Sequence, residues 1–458
     1  MPRVVIISPP FRSHAAPLSV LAAALRERGA NVFFACTEAF EDLAVETGTR
    51  FVPLAVTRNA NTGIAETTAQ ERGEALRLAE FLDATRRGAV PALVLQARHR
   101  RADMLAEPEA VLARLRELDA RVRPDWYLVD QLAYSATLGL HCLRARYATY
   151  CPGHPTYVPA APGLLFGVPY DWPAAVRPDP SALIGLEEAA RDNDHAFTEL
   201  FASFVRANAP GAPVPGRAFA LTSPHAVLYA YPQLPWLPPV PTGPEHVFAG
   251  HMTGNPPPLD HTWSRILSRL RRAADRVVLV ALGTFLSARD DVLRTVVSGT
   301  LRQATGTGTA VIVAAGGRTA ALADLADERV VIVPSVPQQA LLPYVDAMVH
   351  HGGNNSFTEC LRSGVPALLL PFSSDQFAIA RDAERLGVGL VRDPNALRPD
   401  DVPQALETLR TVIGPATAGR SRGLDGLGPG YAAARLLEVM DRQGSGRPAA
   451  PGGGRPRP

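Results

Sequence analysis

The chain has 458 residues, 47% of them hydrophobic and 20% charged, with a net charge of +2. That length holds two or three domains of ordinary size, and the composition is that of a globular protein. The near-neutral balance gives no electrostatic case for a nucleic-acid partner. Every one of the 46 basic residues is arginine, alongside 43 prolines, which reads as genome base composition. Cys36, Cys142, Cys151 and Cys360 are scattered with no C-x-x-C pair, which predicts free thiols in a reducing compartment. No charged region followed by a long apolar one opens the chain, and no run of about 18 apolar residues occurs. A cytoplasmic chain without signal peptide or membrane span is therefore expected.

Arg3 to Ser8 is an apolar, β-branched run and predicts a first parallel strand. Pro9 to His14 forms the turn after it. Pro17 to Arg28 follows as a helix with Leu18, Leu21, Ala22 and Leu25 on one face, stopped by Gly29. Asn31 to Ala35 is the second strand. His14 falls in a loop at the carboxyl end of strand one, where open α/β sheets bind ligands, although a loop histidine is also an ordinary solvated residue. Residues 57–123 are charged and helical in pattern. Trp126 to Val129 reads as another strand, closed by Asp130, which can equally cap the helix expected over Leu132 to Leu143.

Residues 152–181 are proline-rich and irregular, and Ala182 to Ala207 is helical. That helix contains Asp192-Asn193-Asp194, a D-x-D match. Metal-binding D-x-D sits in a loop after a strand, so its mid-helix position argues against a metal site, and no metal is expected. Ala226 to Tyr231 is a strand. The segment Tyr231 to Pro244 carries six prolines and marks a hinge between domains. A second half is expected to begin with His246 to Ala249. Val277 to Leu282, Ala310 to Ala314 and Val330 to Val333 are strands, the first followed by Gly283-Thr284. Strands alternating with helices predict doubly wound parallel sheets.

The most informative stretch is His350 to Gln376. A buried strand ends at Val349, then paired glycines and paired asparagines lead into a helix over Ser356 to Arg362, which Gly364 ends. A second strand, Val365 to Leu370, follows. Such a unit aims free backbone N–H groups and the positive end of a helix dipole at one point, a ready site for phosphate. Gly352 and Gly353 allow close approach. His351, Asn355 and Ser356 can donate hydrogen bonds there. Glu359, one turn on, can accept from ribose hydroxyls, and Asp375-Gln376 suit sugar hydroxyls. The bland alternative is that Ser356-Phe-Thr-Glu359 is only an S-x-x-E capping box.

The stretch resembles the donor signature of the UDP-glycosyltransferase superfamily (glycosyltransferase family one, GT-B fold), whose plant form reads W-x-P-Q, H-C-G-W-N-S-x-x-E and P-x-x-x-D-Q. This chain has Ser335-Val336-Pro337-Gln338, His351 to Glu359, and Pro371 to Gln376. It is closer still to bacterial members, where H-G-G-N-N is usual. The opening also resembles the family's G-H-x-x-P, as Ser13-His14-Ala-Ala-Pro17, with serine in place of the glycine. Ser335 stands where the plant enzymes stack a tryptophan on uracil, leaving UDP and dTDP both open, with backbone groups of Val336 free to read a base edge.

The resemblance implies an α/β GT-B fold of two Rossmann-like doubly wound domains facing a cleft. The expected boundaries are an acceptor-binding domain at 1–235, a linker at 236–245 and a donor-binding domain at 246–428. A helix at 429–442 would cross back to the first domain, and 443–458 would be a disordered tail. It implies His14 as general base oriented by Asp130. It implies a donor site of Gly283, Thr284, Ser335, Val336, Gln338, His351, Gly352, Gly353, Asn354, Asn355, Ser356, Glu359, Asp375 and Gln376. The function implied is an inverting transfer of a sugar from a UDP- or dTDP-sugar to a hydroxyl of a small-molecule, natural-product acceptor, such as in antibiotic biosynthesis. No cofactor beyond that co-substrate is expected, and the chain would act as a monomer or homodimer. A nucleotide-sugar epimerase and a non-catalytic binding protein remain as alternatives.

Overall fold

The structure, a computed structural model, describes residues 1–68, 72–103, 105–302 and 308–444. Two separate sheets organise them. The first contains β1 (Arg3–Ile7), β2 (Asn31–Cys36), β3 (Arg50–Pro53), β4 (Trp126–Asp130), β5 (Tyr147–Cys151), β6 (Ala226–Tyr229) and β7 (Glu245–Phe248). They lie in the order β3-β2-β1-β4-β5-β6-β7. The second contains β8 (Arg276–Ala281), β9 (Thr309–Ala314), β10 (Val330–Val333), β11 (Ala347–His350), β12 (Ala367–Leu369) and β13 (Gly389–Val391), in the order β10-β9-β8-β11-β12-β13. Every pairing is parallel. Helices cover both faces, so the central strands are apolar on both sides: Val4, Val5, Ile6 and Ile7 are fully buried.

Each sheet has one point where the chain reverses its direction of winding, between β1 and β4 in the first and between β8 and β11 in the second. Loops at the carboxyl ends of these strand pairs form the crevice in which such sheets bind ligands. His14, Asp130, Gly283 and His351 all fall there.

The structure moves three expected boundaries. β7 pairs with β6 in the register Ala226↔Glu245, so the proline-rich segment joins neighbouring strands of the first sheet. The passage to the second sheet follows Phe248 instead. Proline cannot donate to a ladder, so these residues serve well as a crossover, while the β-competent Glu245–Phe248 behind them forms an edge strand. The first helix begins at Arg12, not at Pro17, which places His14 in its first turn. The signature helix begins at Asn354, two residues ahead of Ser356.

The two halves also exchange helices. Leu82 of the helix Arg72–Arg87 is buried in the core of the second sheet. The final helix, Pro429–Gly444, buries Ala432, Ala433, Leu436, Val439 and Met440 in the first-sheet core beside Leu18 and Leu25. Among the described residues no helix is long and apolar enough to cross a membrane. The expected disordered tail lies, from residue 445 on, outside the described residues.

Candidate active site

His14 Nδ1 lies 3.0 Å from Asp130 Oδ2. The carboxylate is the last residue of β4 and is fully buried. Its other oxygen accepts from the Leu132 N–H at 2.9 Å. Asp130 receives a backbone N–H of the following turn and faces the imidazole. It is not the helix cap, because that helix starts at Tyr134 with Ala133 before it. With Nδ1–H directed at the carboxylate, Nε2 is left as the basic nitrogen.

Pro17 lies inside the His14 helix. A proline has no N–H to give the carbonyl four residues back, and that carbonyl belongs to Ser13. Asn355 Nδ2 donates to this Ser13 oxygen at 2.9 Å. The H-x-x-P spacing thus exports one backbone acceptor from beside the base to the other domain, which uses it to dock the signature helix.

On the second sheet, the helix Asn354–Ser363 has Gly353 as its N-cap, no side-chain cap and no acid in its first turn. The capping-box alternative fails here. Ser356 and Glu359 lie inside the helix, and Glu359 is held by Gln338 Nε2 at 2.6 Å and Gln339 Nε2 at 3.0 Å. Burial pushes its carboxyl pKa up, against the two amide donors. It borders a pocket of about 240 Å³ that Gln339, Arg362, Thr253 and Pro256 also line. Ser356 Oγ accepts from the same Gln338 amide at 3.2 Å. The Asn354 amide is engaged by the first domain: its Nδ2 donates to the carbonyls of Pro152 and Ala230 at 2.6 and 2.8 Å.

His350 is fully buried, and its Nδ1 accepts from the Gly352 N–H at 3.0 Å, bracing the turn. Burial pushes its pKa down to about 3. Burial likewise pushes His351 down to about 4, so His351 is a neutral hydrogen-bonding group near neutral pH. Its Nδ1 is buried without a partner, the state of a donor or acceptor that a ligand would satisfy. The ring packs over Gly283, whose φ is +77°; a Cβ there would stand 2.6 Å from His351 Cε1. Only glycine fits that turn. Thr284 next to it is bound from the first domain, by Asn61 Nδ2 to its Oγ1 at 3.2 Å and by the Ala65 N–H to its carbonyl at 2.9 Å.

Four predicted residues take other positions. Asp375 Oδ2 accepts from the backbone N–H of His154 in the first domain at 2.9 Å, and burial raises its pKa. Gln376 folds back on its own loop, its Oε1 accepting from the N–H groups of Phe372 and Ser373. Ser335 is exposed, and the Val336 carbonyl already accepts from Gln338 N at 2.9 Å. The D-x-D residues are used in packing: Asn193 bonds the Ala97 carbonyl at 2.7 Å and Asp194 pairs with Arg217 at 2.6 Å. Among the described residues no group of three or more His, Cys, Asp or Glu could hold a metal.

Sequence reasoning missed Asn61, Gln96, His154 and Gln339. Gln339 had a signal, since it doubles the motif amide at Gln338. The others stand in stretches without a motif, and only the tertiary fold brings them to the cleft.

Residues 298–419 match the family model described as erythromycin biosynthesis protein CIII-like, C-terminal domain, a span that includes the whole signature. The sterol 3-beta-glucosyltransferase of Saccharomyces cerevisiae (strain YJM789) is 45% identical over 58 residues, 13% of this chain and 5% of that protein. The chain therefore spans only a small part of the length of such curated relatives. Among solved structures, the glycotransferase of kitacinnamycin is similar at a TM-score of 0.67 and 21% identity, over 96% of this chain and 99% of that one. The glycosyltransferase VinC in complex with dTDP is similar at 0.65 and 21%, over 96% and 100%. These likenesses establish the GT-B fold expected from the signature.

Proposed function

On this GT-B scaffold with an erythromycin-CIII-like C-terminal domain, we propose that the chain is an inverting glycosyltransferase. It moves a sugar from a UDP- or dTDP-sugar to a hydroxyl of a small natural-product acceptor. The observation that supports it most is the 2.9 Å bond from Asn355 to the carbonyl of Ser13. It sets the N-terminus of the signature helix against the turn that carries the His14–Asp130 pair. An anion-binding site and a general base then face one crevice, which is what transfer from a diphosphate leaving group requires.

In this reading, His14 Nε2 takes the proton of the acceptor hydroxyl. That oxygen bonds to the anomeric carbon as the bond from that carbon to the diphosphate oxygen breaks. The leaving diphosphate keeps the electron pair, and single displacement inverts the centre. Asp130 keeps the imidazole in the reactive tautomer and stabilises the imidazolium. The helix N-terminus, His351 and Ser356 carry the charge developing on the diphosphate, so the reading needs no metal or resident cofactor. Glu359 takes the ribose hydroxyls. VinC was solved with dTDP bound and has the same fold, which makes dTDP a natural first ligand beside UDP.

Calorimetric titration with UDP and with dTDP tests the reading. One of the two should bind, and Glu359→Ala should weaken it by about 10- to 100-fold, the loss of roughly 1.5–3 kcal/mol expected for hydrogen bonds to a charged acceptor. Absence of binding by both nucleotides overturns the assignment.

A further inference from the structure

The loop Pro371–Gln376 is the part of the donor site that would face the sugar, and it is held in two different ways. Its first half is fixed from within: Gln376 Oε1 accepts from the N–H groups of Phe372 at 2.9 Å and Ser373 at 3.1 Å. Its second half is fixed from across the cleft. Gln96, on the helix Ala89–Asp103 of the first domain, donates from Nε2 to Ser374 Oγ at 3.0 Å, and its Oε1 accepts from the Ser374 N–H at 3.2 Å. Ser374 has a φ of +54°, a left-handed conformation that a non-glycine residue keeps only when its surroundings hold it. The two bonds from Gln96 are that hold. The next residue, Asp375, gives Oδ2 to the N–H of His154, again in the first domain. A Cβ at Gly153 would run into the same oxygen.

From this geometry we infer that the acceptor domain sets sugar selectivity: Gln96 is a positioning residue that fixes the Ser374–Asp375 turn, and through it the carboxylate offered to the sugar ring. Asp375 is placed jointly by Gln96, by His154 N–H and by the space Gly153 leaves open. One of its oxygens is occupied by the backbone, so the other is the acceptor available to a ring hydroxyl. A carboxylate fixed in this way discriminates the axial from the equatorial position of that hydroxyl, because a misplaced hydroxyl leaves a buried acceptor unpaired. Sugar recognition is then complete only while the two domains are together, whereas the groups offered to the diphosphate, the N-terminus of the signature helix and His351, belong to the second domain. The inference rests on the glycosyltransferase reading of the same cleft.

The test compares calorimetric binding of six probes, UDP, UDP-glucose and its C4 epimer UDP-galactose, and the matching three of the dTDP series, to wild type, Gln96→Ala and Gln96→Ala/Ser374→Gly. Wild type is expected to bind one nucleoside diphosphate and to separate the two epimers by at least fivefold. Gln96→Ala should leave affinity for the free diphosphate within twofold, which also reports an intact fold, while the epimer ratio falls at least fivefold toward one. Glycine adopts the left-handed conformation without steric cost, so Ser374→Gly in that background should restore much of the ratio. An epimer ratio unchanged in Gln96→Ala overturns the inference. So do an equal loss for diphosphate and sugar nucleotide, failure of the second substitution to restore discrimination, and a wild type that binds both epimers alike. A wild type that binds neither diphosphate instead sinks the glycosyltransferase reading itself, and the two failures are thereby told apart.

Discussion

The helices Arg12–Glu27 and Asn354–Ser363 each follow a strand that borders the switch point of its own sheet, the first after β1 and the second after β11. Neither has a side-chain cap or an acid in its first turn. Their uses diverge because of what fills that turn. In the first helix, the Arg12 N–H is bonded to the Asn61 carbonyl, and the turn presents an imidazole backed by the buried Asp130. In the second, glycines precede the helix, its first N–H groups have no intrahelical partner, and a neutral His351, its Nδ1 buried without a partner, stands beside them. A helix start at the switch point therefore yields a base in one domain and an anion cradle in the other. The fold supplies the place, and the few residues after the strand decide the chemistry.

The contrast breaks most sharply at His14. His14→Ala should lower kcat by about 10²–10⁴, the range for loss of a general base, and leave nucleotide diphosphate affinity unchanged by calorimetry. Comparable loss of both would merge the two roles assigned to the two helices.

Acid should act unequally on the two sides. His350 is fully buried with its pKa pushed down to about 3, against about 6.5 in an unfolded chain. Below pH 6.5 the unfolded state binds the proton and the folded state does not. Stability is therefore complete above that pH and falls as pH drops toward 3, by about 1.4 kcal/mol per unit. Urea unfolding midpoints at pH 7.5 and pH 5 should differ less in His350→Phe than in wild type.

Pro17 offers a finer probe. Pro17→Ala restores the N–H that can recapture the Ser13 carbonyl within the helix. The thermal midpoint of the first domain should rise. The transfer rate should fall by roughly 2- to 10-fold, since one neutral hydrogen bond across the cleft is worth about 0.5–1.5 kcal/mol. A rise in both would mean that the Asn355 contact does not matter to transfer. The smallest effect is expected at the D-x-D motif. Asp192→Ala, on the exposed face of its helix, should change stability by less than about 0.5 kcal/mol and leave activity and its response to a chelator unchanged.

Much of this site was legible in the residues. The signature from Gln338 to Glu359 and the alternation of strands and helices depend on local spacing, which the sequence carries directly; the pairing of His14 with Asp130, 116 positions apart, came only from the family resemblance. The hinge was misplaced because proline content marks any crossover, and only strand pairing distinguishes a crossover within a sheet from one between sheets. The sequence could not show that one Asp375 oxygen is taken by the His154 N–H and the Gln376 amide oxygen by the loop's own backbone, which leaves the second Asp375 oxygen as the group open to a sugar.

By itself the sequence determined which residue types follow which strand: glycines where the backbone must be approached closely, a histidine after one strand and a carboxylate ending another, amides beside an acid. Those follow from backbone conformation and hydrogen-bonding capacity, which are properties of a residue and its near neighbours. The tertiary structure alone decided the partnerships across the cleft: Asn355 with Ser13, Asn61 with Thr284, Gln96 with Ser374 and His154 with Asp375. Each joins residues more than 200 positions apart, and such pairs come together only when the burial of two sheets and the exchange of helices between them fix how the domains meet.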